Sequence, residues 1–208
     1  MALFIIRHGQ TVWNQGQILQ GHADIPLSAR GIEEARQMAF MLKDIPFTLI
    51  GASPLLRTRQ TGAVLSEILQ SPLEICPELL ARGYGPWEGK SISKIREEYS
   101  REFDEMKHWP LSKVFSTIPF PGIESYETVS QRAIPLLERF APEAGNCLFI
   151  THTGVVSSIL LKLGFSGTKV PLLSQTGFIR IERENGTLKI VQMEGLIDPL
   201  KFKDVFIF

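Results

Sequence analysis

The chain predicts a three-layer α/β/α fold around a mostly parallel sheet. Three observations carry that expectation. Short apolar runs rich in branched residues recur along the chain, and segments with helical spacing separate them. Two of the runs end in a histidine followed within two residues by glycine, in MALFIIRHGQT and NCLFITHTG. Strands alternating with helices build parallel sheets covered on both faces. Such sheets bind ligands beyond the carboxyl ends of their strands.

LFII reads as a first buried strand. PLSARGIEEARQMAFMLKDI follows as a helix, with Ser28 as its N-cap and Ile32, Ala35, Ala39 and Leu42 at helical spacing. FTLIGAS is a second strand. SPLLRTRQTGAVLSEILQ is a second helix, with Ser53 expected as N-cap and Pro54 in its first turn. PLEICPEL gives a third strand. Residues 84–125 differ: they hold seven prolines and glycines and the polar helical stretch ISKIREEYSREFDEM. That composition predicts a loop-and-helix insertion able to roof a site. SYETVSQRAIPLLERFAPEA returns to helix, with a kink expected at Pro135. NCLFITHTG is a further strand and VVSSILLKLGF the helix after it. GFIRIERENGTLKIVQM is a hairpin turning at Asn185-Gly186. The apolar tail LIDPLKFKDVFIF, like Trp109, can pack on the domain or on a second copy of the chain in a homodimer. Residues 1–208 are expected to form one domain.

Composition narrows the function. Twenty-two basic side chains balance twenty-two acidic ones, so no global field favours nucleic acid or an anionic membrane. The N-terminal apolar run is too short for a membrane span or a signal peptide. The two cysteines, Cys76 and Cys147, sit among apolar residues and are expected as buried thiols. A cytoplasmic location follows as an expectation. Any preference for anions must therefore come from a local site.

The strand ends supply one. Arg7 and His8 end the first strand, His152 ends a later one, and Arg57 sits on the helix after the second. Two arginines and two histidines gathered in a neutral protein repel one another unless an anion joins them. A phosphoryl group fits, because planar guanidinium forks bind its oxygens in pairs. Loop glycines and helix N-termini after His8 and His152 would add backbone N–H groups and partial positive charge. Arg59, two residues from Arg57, should face elsewhere. His22 and His108 read as structural or surface residues.

RHGQT with the downstream WN resembles the signature of the histidine phosphatase (phosphoglycerate mutase-like) superfamily. GHADIPLSARGIEEA, SPLLRTRQTG, GYGPWEGKS, PGIESYETVSQR and FITHTGVV resemble further blocks of that family, in order, across most of residues 3–160. The resemblance implies a phosphatase that works through a phosphohistidine on His8. A nucleophilic ring must be neutral and oriented, so His8 is expected to donate its other N–H to a backbone carbonyl. Arg7, Arg57 and His152 would surround the phosphate. Thr11, Asn14, Gln20, Gly21, Tyr84 and Thr153 match substrate-binding or pocket-bordering positions. Neither a metal nor a cofactor is implied, and the partner is a small phosphorylated substrate. Sugar phosphates or the cobalamin-pathway α-ribazole phosphate are the analogues suggested.

Two departures qualify the resemblance. Relatives protonate the leaving group with a glutamate four residues before the first glycine of G-x-W-E-G. That glycine is Gly85 here, and the fourth residue before it is Ala81. Losing a positioned general acid costs ~10²–10⁴-fold. Glu78, Glu88 or Glu124 could substitute, with Glu78 closest in sequence. Alternatively the substrates carry good leaving groups, or turnover is weak and the chain is a phosphate- or phosphoprotein-binding module. The second departure concerns phosphoglycerate mutases, which carry adjacent arginines in the insertion. Residues 90–125 hold six scattered basic residues and no adjacent pair. Phosphatase is thus the expected activity and mutase the alternative.

Overall fold

A computed structural model describes residues 2–118, 120–141, 145–167 and 169–197. Most of the apolar tail, residues 198–208, lies outside the described residues. The elements run β1 (Leu3–Arg7), α1 (Val12–Gln15), α2 (Ala29–Leu42), β2 (Phe47–Ala52), α3 (Leu56–Leu69) and β3 (Leu73–Ile75). Two short 3₁₀ turns follow, at Pro77–Leu79 and Gly85–Trp87. Then come α4 (Ile92–Glu98), α5 (Ser100–Met106), α6 (Leu111–Ser116), α7 (Tyr126–Phe140), β4 (Asn146–Thr151), α8 (Thr153–Lys162), β5 (Leu172–Glu184) and β6 (Thr187–Ile197).

Among the described residues the strands form one six-stranded sheet in the order β3-β2-β4-β1-β5-β6. The four strands from β3 to β1 are mutually parallel, and β5 and β6 add antiparallel. Side-chain alternation explains the three layers. Leu3 and Ile5 of β1, with Cys147 and Phe149 of β4, face a core shared with Leu136, Leu137, Val156 and Leu160 of α7 and α8. Phe4 and Ile6, with Leu148 and Ile150, face the other side, where Ala35, Met38, Ala39 and Leu42 of α2 pack. A third cluster lies under residues 84–125, centred on Trp87 with Ile95, Met106, Val114 and Phe120. The β5–β6 hairpin turns where expected, with Asn185 at φ 49° and Gly186 at φ 80°, the paired positive angles of a tight hairpin turn. Among the described residues no helix is long and apolar enough to cross a membrane.

Three local expectations are corrected or refined. Ser53 does not cap α3. The helix begins at Leu56, and the side chain of Asp24 accepts the Leu56 N–H at 2.5 Å instead. The polar stretch 92–106 is two helices divided at Tyr99, whose ring packs 5.0 Å from that of Trp87. Helix α7 runs through Pro135, which lies inside it.

The parallel pairing of β1 with β4 positions the site. Arg7 lies level with Thr151, and the His8 N–H donates to the Thr151 carbonyl at 3.0 Å. Residues 144 apart in sequence thus leave the sheet at neighbouring points, and His152 caps α8. The loop after β1 rests directly on α2. A Cβ on Gly9 would stand 2.2 Å from the Gly31 carbonyl oxygen, and one on Gly31 would stand 2.0 Å from that of Gln10. Only two glycines allow that approach.

Candidate active site

His8 and His152 face each other with ring centroids 5.1 Å apart. Both are buried. His8 Nδ1 lies 2.7 Å from the Gly9 carbonyl oxygen, an atom that can only accept. Nδ1 therefore carries the proton, and Nε2 keeps its lone pair. Burial chiefly, then the charges of Arg57 and Arg7, hold His8 well below the usual histidine pKa of 6.5. Burial, Arg57, His8 and Arg7 do the same for His152. Both rings are neutral at physiological pH.

Arg57 organises the surroundings. Its Nη1 donates to Ala23 O at 2.7 Å and its Nη2 to Gly21 O at 2.8 Å. Its Nε donates to His152 Nδ1 at 3.3 Å. With Nδ1 accepting, His152 directs its Nε2–H to Ser53 Oγ, 2.9 Å away. Ser53, expected as a helix cap, is thus a partner of the second histidine. Arg7 reaches Leu173 O at 3.4 Å through Nη1, while its Nε is buried with no hydrogen-bond partner among the described residues. Burial pulls the pKa of both arginines down to about 10, which leaves them charged near neutrality. A buried unpaired donor between neutral imidazoles and a second guanidinium calls for an anion.

These groups line a cavity of about 420 Å³. Of the residues singled out from sequence, Arg7, His8, Asn14, Gln20, Gly21, Arg57, Tyr84, His152 and Thr153 line it. Gln20 Oε1 is buried there without a partner among the described residues. Thr11 and Glu78 are not brought to the cavity. Thr11 is buried and caps α1: its Oγ1 accepts the Asn14 N–H at 3.2 Å and donates to Asn14 Oδ1 at 3.0 Å. It holds a lining residue. Glu78 turns outward to Arg139 Nη2 at 3.3 Å. Thr153 and Gly154, the first residues of α8, line the cavity, whereas α1 is a single turn.

Ala81 does line the cavity, and its segment is firmly held. Arg132 donates to the carbonyls of Glu78, Leu80 and Ala81 at 2.6–3.0 Å. The Ala81 carbonyl also accepts from His22 Nε2 at 2.8 Å. Glu124 accepts the Gly83 N–H at 2.6 Å and meets Arg132 at 3.3 Å. Glu88 accepts the Tyr84 N–H at 2.9 Å. Both glutamates serve the loop. Arg82 was not singled out from sequence, yet it is buried and lines the cavity, with its guanidinium 4.2 Å over the Tyr126 ring. Its place between Ala81 and Tyr84 was the available signal.

Keeping two histidines neutral carries a stability cost in acid. Below pH ~6.5 the unfolded chain takes up protons that the folded chain refuses, so stability is expected to fall as pH drops towards the depressed folded values. Each ring contributes up to ~1.4 kcal/mol per pH unit in that window. Urea unfolding at pH 7.5 and 5.5 checks this: His8→Gln should lose less stability on acidification than the natural chain.

A buried, neutral, oriented histidine among arginines at the carboxyl edge of a mostly parallel sheet is an arrangement suited to holding a phosphoryl group. Comparison with known proteins names the class. Residues 3–195 match the model of the histidine phosphatase superfamily (branch 1), and the chain belongs to that superfamily as an enzyme of its phosphatase type. It is 32% identical over 169 residues to the adenosylcobalamin/α-ribazole phosphatase of Escherichia coli K12, covering 78% of this chain and 79% of that protein. The α-ribazole phosphatase of Shigella flexneri superposes with a TM-score of 0.73 at 26% identity, over 93% of this chain and 96% of that one. A phosphoglycerate mutase from Bacillus anthracis superposes at 0.81 and 24% identity, over 94% and 92%, which shows a shared fold.

Proposed function

We propose that the chain is a metal-independent phosphatase acting on a small phosphomonoester through a phosphohistidine on His8. The observation that carries this reading is the His8 ring, whose Nδ1–H is tied to Gly9 O while Nε2 keeps its lone pair among cations. Nε2 attacks phosphorus in line with the ester oxygen. Arg7, Arg57 and His152 take the phosphoryl oxygens, His152 by turning a ring N–H from Ser53 to the ligand. Asn14, Gln20, Gly21, Tyr84 and Thr153 border the substrate, and residues 84–125 roof it within a single catalytic domain. Fixed cations supply the charge stabilisation that Mg²⁺ gives other phosphoryl-transfer enzymes. Among the described residues no group of three or more His, Cys, Asp or Glu side chains could hold a metal ion. Relatives named as α-ribazole phosphatases support a small phosphorylated substrate, and a cytoplasmic location is part of the same proposal.

A rapid quench with p-nitrophenyl phosphate in EDTA tests the reading. Base-stable, acid-labile phosphate should appear on the peptide carrying His8. p-Nitrophenol release without any phosphoprotein would overturn it. Tight ester binding without release would favour the binding module, which the alanine at position 81 of the cavity wall also suits.

A further inference from the structure

An alkyl phosphate releases an alkoxide unless an acid protonates the bridging oxygen, so an enzyme that splits one keeps an acid within reach. Among the described residues the cavity lining contains no Asp or Glu. Glu78 is engaged by Arg139, Glu88 by the Tyr84 N–H, and Glu124 by the Gly83 N–H and Arg132. Neither histidine has a proton to spare for the bridging oxygen. His8 donates its Nδ1–H to Gly9 O and attacks with the other nitrogen, and the single Nε2–H of the neutral His152, which rests on Ser53, is the one assigned above to a phosphoryl oxygen. Beside the cations and the polar Gln10, Asn14, Gln17 and Gln175, the lining includes Trp13, Ile18, Leu19, Tyr84 and Ile92.

We infer that the site takes aryl phosphates, esters of aromatic hydroxyls whose oxygen departs as an anion without a proton. The inference rests on the phosphohistidine reading and names its substrate class. The His8 Nε2 lone pair forms the N–P bond as the P–O bond to the ring breaks, and that electron pair leaves on the phenolate oxygen. Water then forms a P–O bond, the N–P pair returns to Nε2, and both water protons end on dihydrogen phosphate. No acid is needed in the first step, because phenolates are far weaker bases than alkoxides. The aromatic side chains of that lining suit a flat apolar leaving group.

The test is kcat/KM for a series of substituted phenyl phosphates of graded phenol pKa, plus one alkyl phosphate, in EDTA. The ratio reports the step that breaks the P–O bond. In the natural chain it should fall steeply as the phenol becomes less acidic, with the alkyl ester lowest. Ala81→Glu should flatten the series and raise alkyl turnover by ~10²–10⁴-fold. A flat series with equal alkyl turnover and phosphorylated His8 would overturn the inference and leave the phosphohistidine reading standing. A flat series made steep by Tyr84→Phe would assign the proton to that phenol and overturn it equally. Absence of phospho-His8 with every ester would instead remove the underlying reading. If Ala81→Glu melts early, the slope in the natural chain decides alone.

Discussion

His8→Ala is expected to lower kcat/KM for p-nitrophenyl phosphate by ~10⁴-fold or more, because removing a covalent nucleophile removes the path and not merely one contact. The cations that remain still bind phosphate, so inhibition by inorganic phosphate should persist. The fold should persist too. His8 follows the last residue of β1, and the strand is held by its pairing with β4 and β5 on either side. The lost ring is neutral and hydrogen-bonds to an adjacent carbonyl, so no charge is left unpaired by its removal. Steady-state hydrolysis with EDTA, beside a melting curve, separates lost chemistry from lost folding. Turnover surviving in a folded His8→Ala protein would end the phosphohistidine mechanism.

Arg57→Ala should damage both activity and stability. The guanidinium ties helix α3 to the carbonyls of Gly21 and Ala23 and to His152. Truncation strands two partly or fully buried carbonyls at ~1–3 kcal/mol each, and a total near 2–4 kcal/mol is expected from urea unfolding. It also removes a donor aimed at the transferring phosphoryl group, for which a loss of ~10²–10³-fold in kcat is typical. Arg57→Lys keeps the charge without the fork, so it should recover some phosphate affinity but little of the lost stability. Equal stability in Arg57→Ala and the natural chain would show that the loop is held by other contacts, such as Asp24 on the Leu56 N–H.

How much of this was legible in the sequence depends on the range of each interaction. Strand and helix identities were readable because local periodicity encodes them: Leu3 to Ile6 alternate between two buried cores, and Ala35, Ala39 and Leu42 build one buried helix face, with Ile32 only half-buried. The Asn185-Gly186 turn was readable because few residues tolerate its backbone angles. Side-chain direction was not readable where the chain is irregular. Glu78 follows Pro77 in a 3₁₀ turn, and Arg139, 61 residues away, draws its carboxylate outward. Thr11 matched a pocket position, but its hydroxyl is committed to Asn14. Ser53 has the composition of a cap and the position of a histidine partner, because α3 starts two residues later than expected.

By itself the sequence determined the layer architecture, the two strand-end histidines with their arginines, and the alanine at position 81. Each is a matter of residue type and short-range spacing. Tertiary structure alone decided which nitrogen of His8 is free, which partner holds His152, and that among the described residues Glu78, Glu88 and Glu124 are not in the cavity lining that includes Ala81. Those depend on contacts between segments that only the parallel pairing of β1 with β4 and the packing of α3 and α7 bring within hydrogen-bond reach.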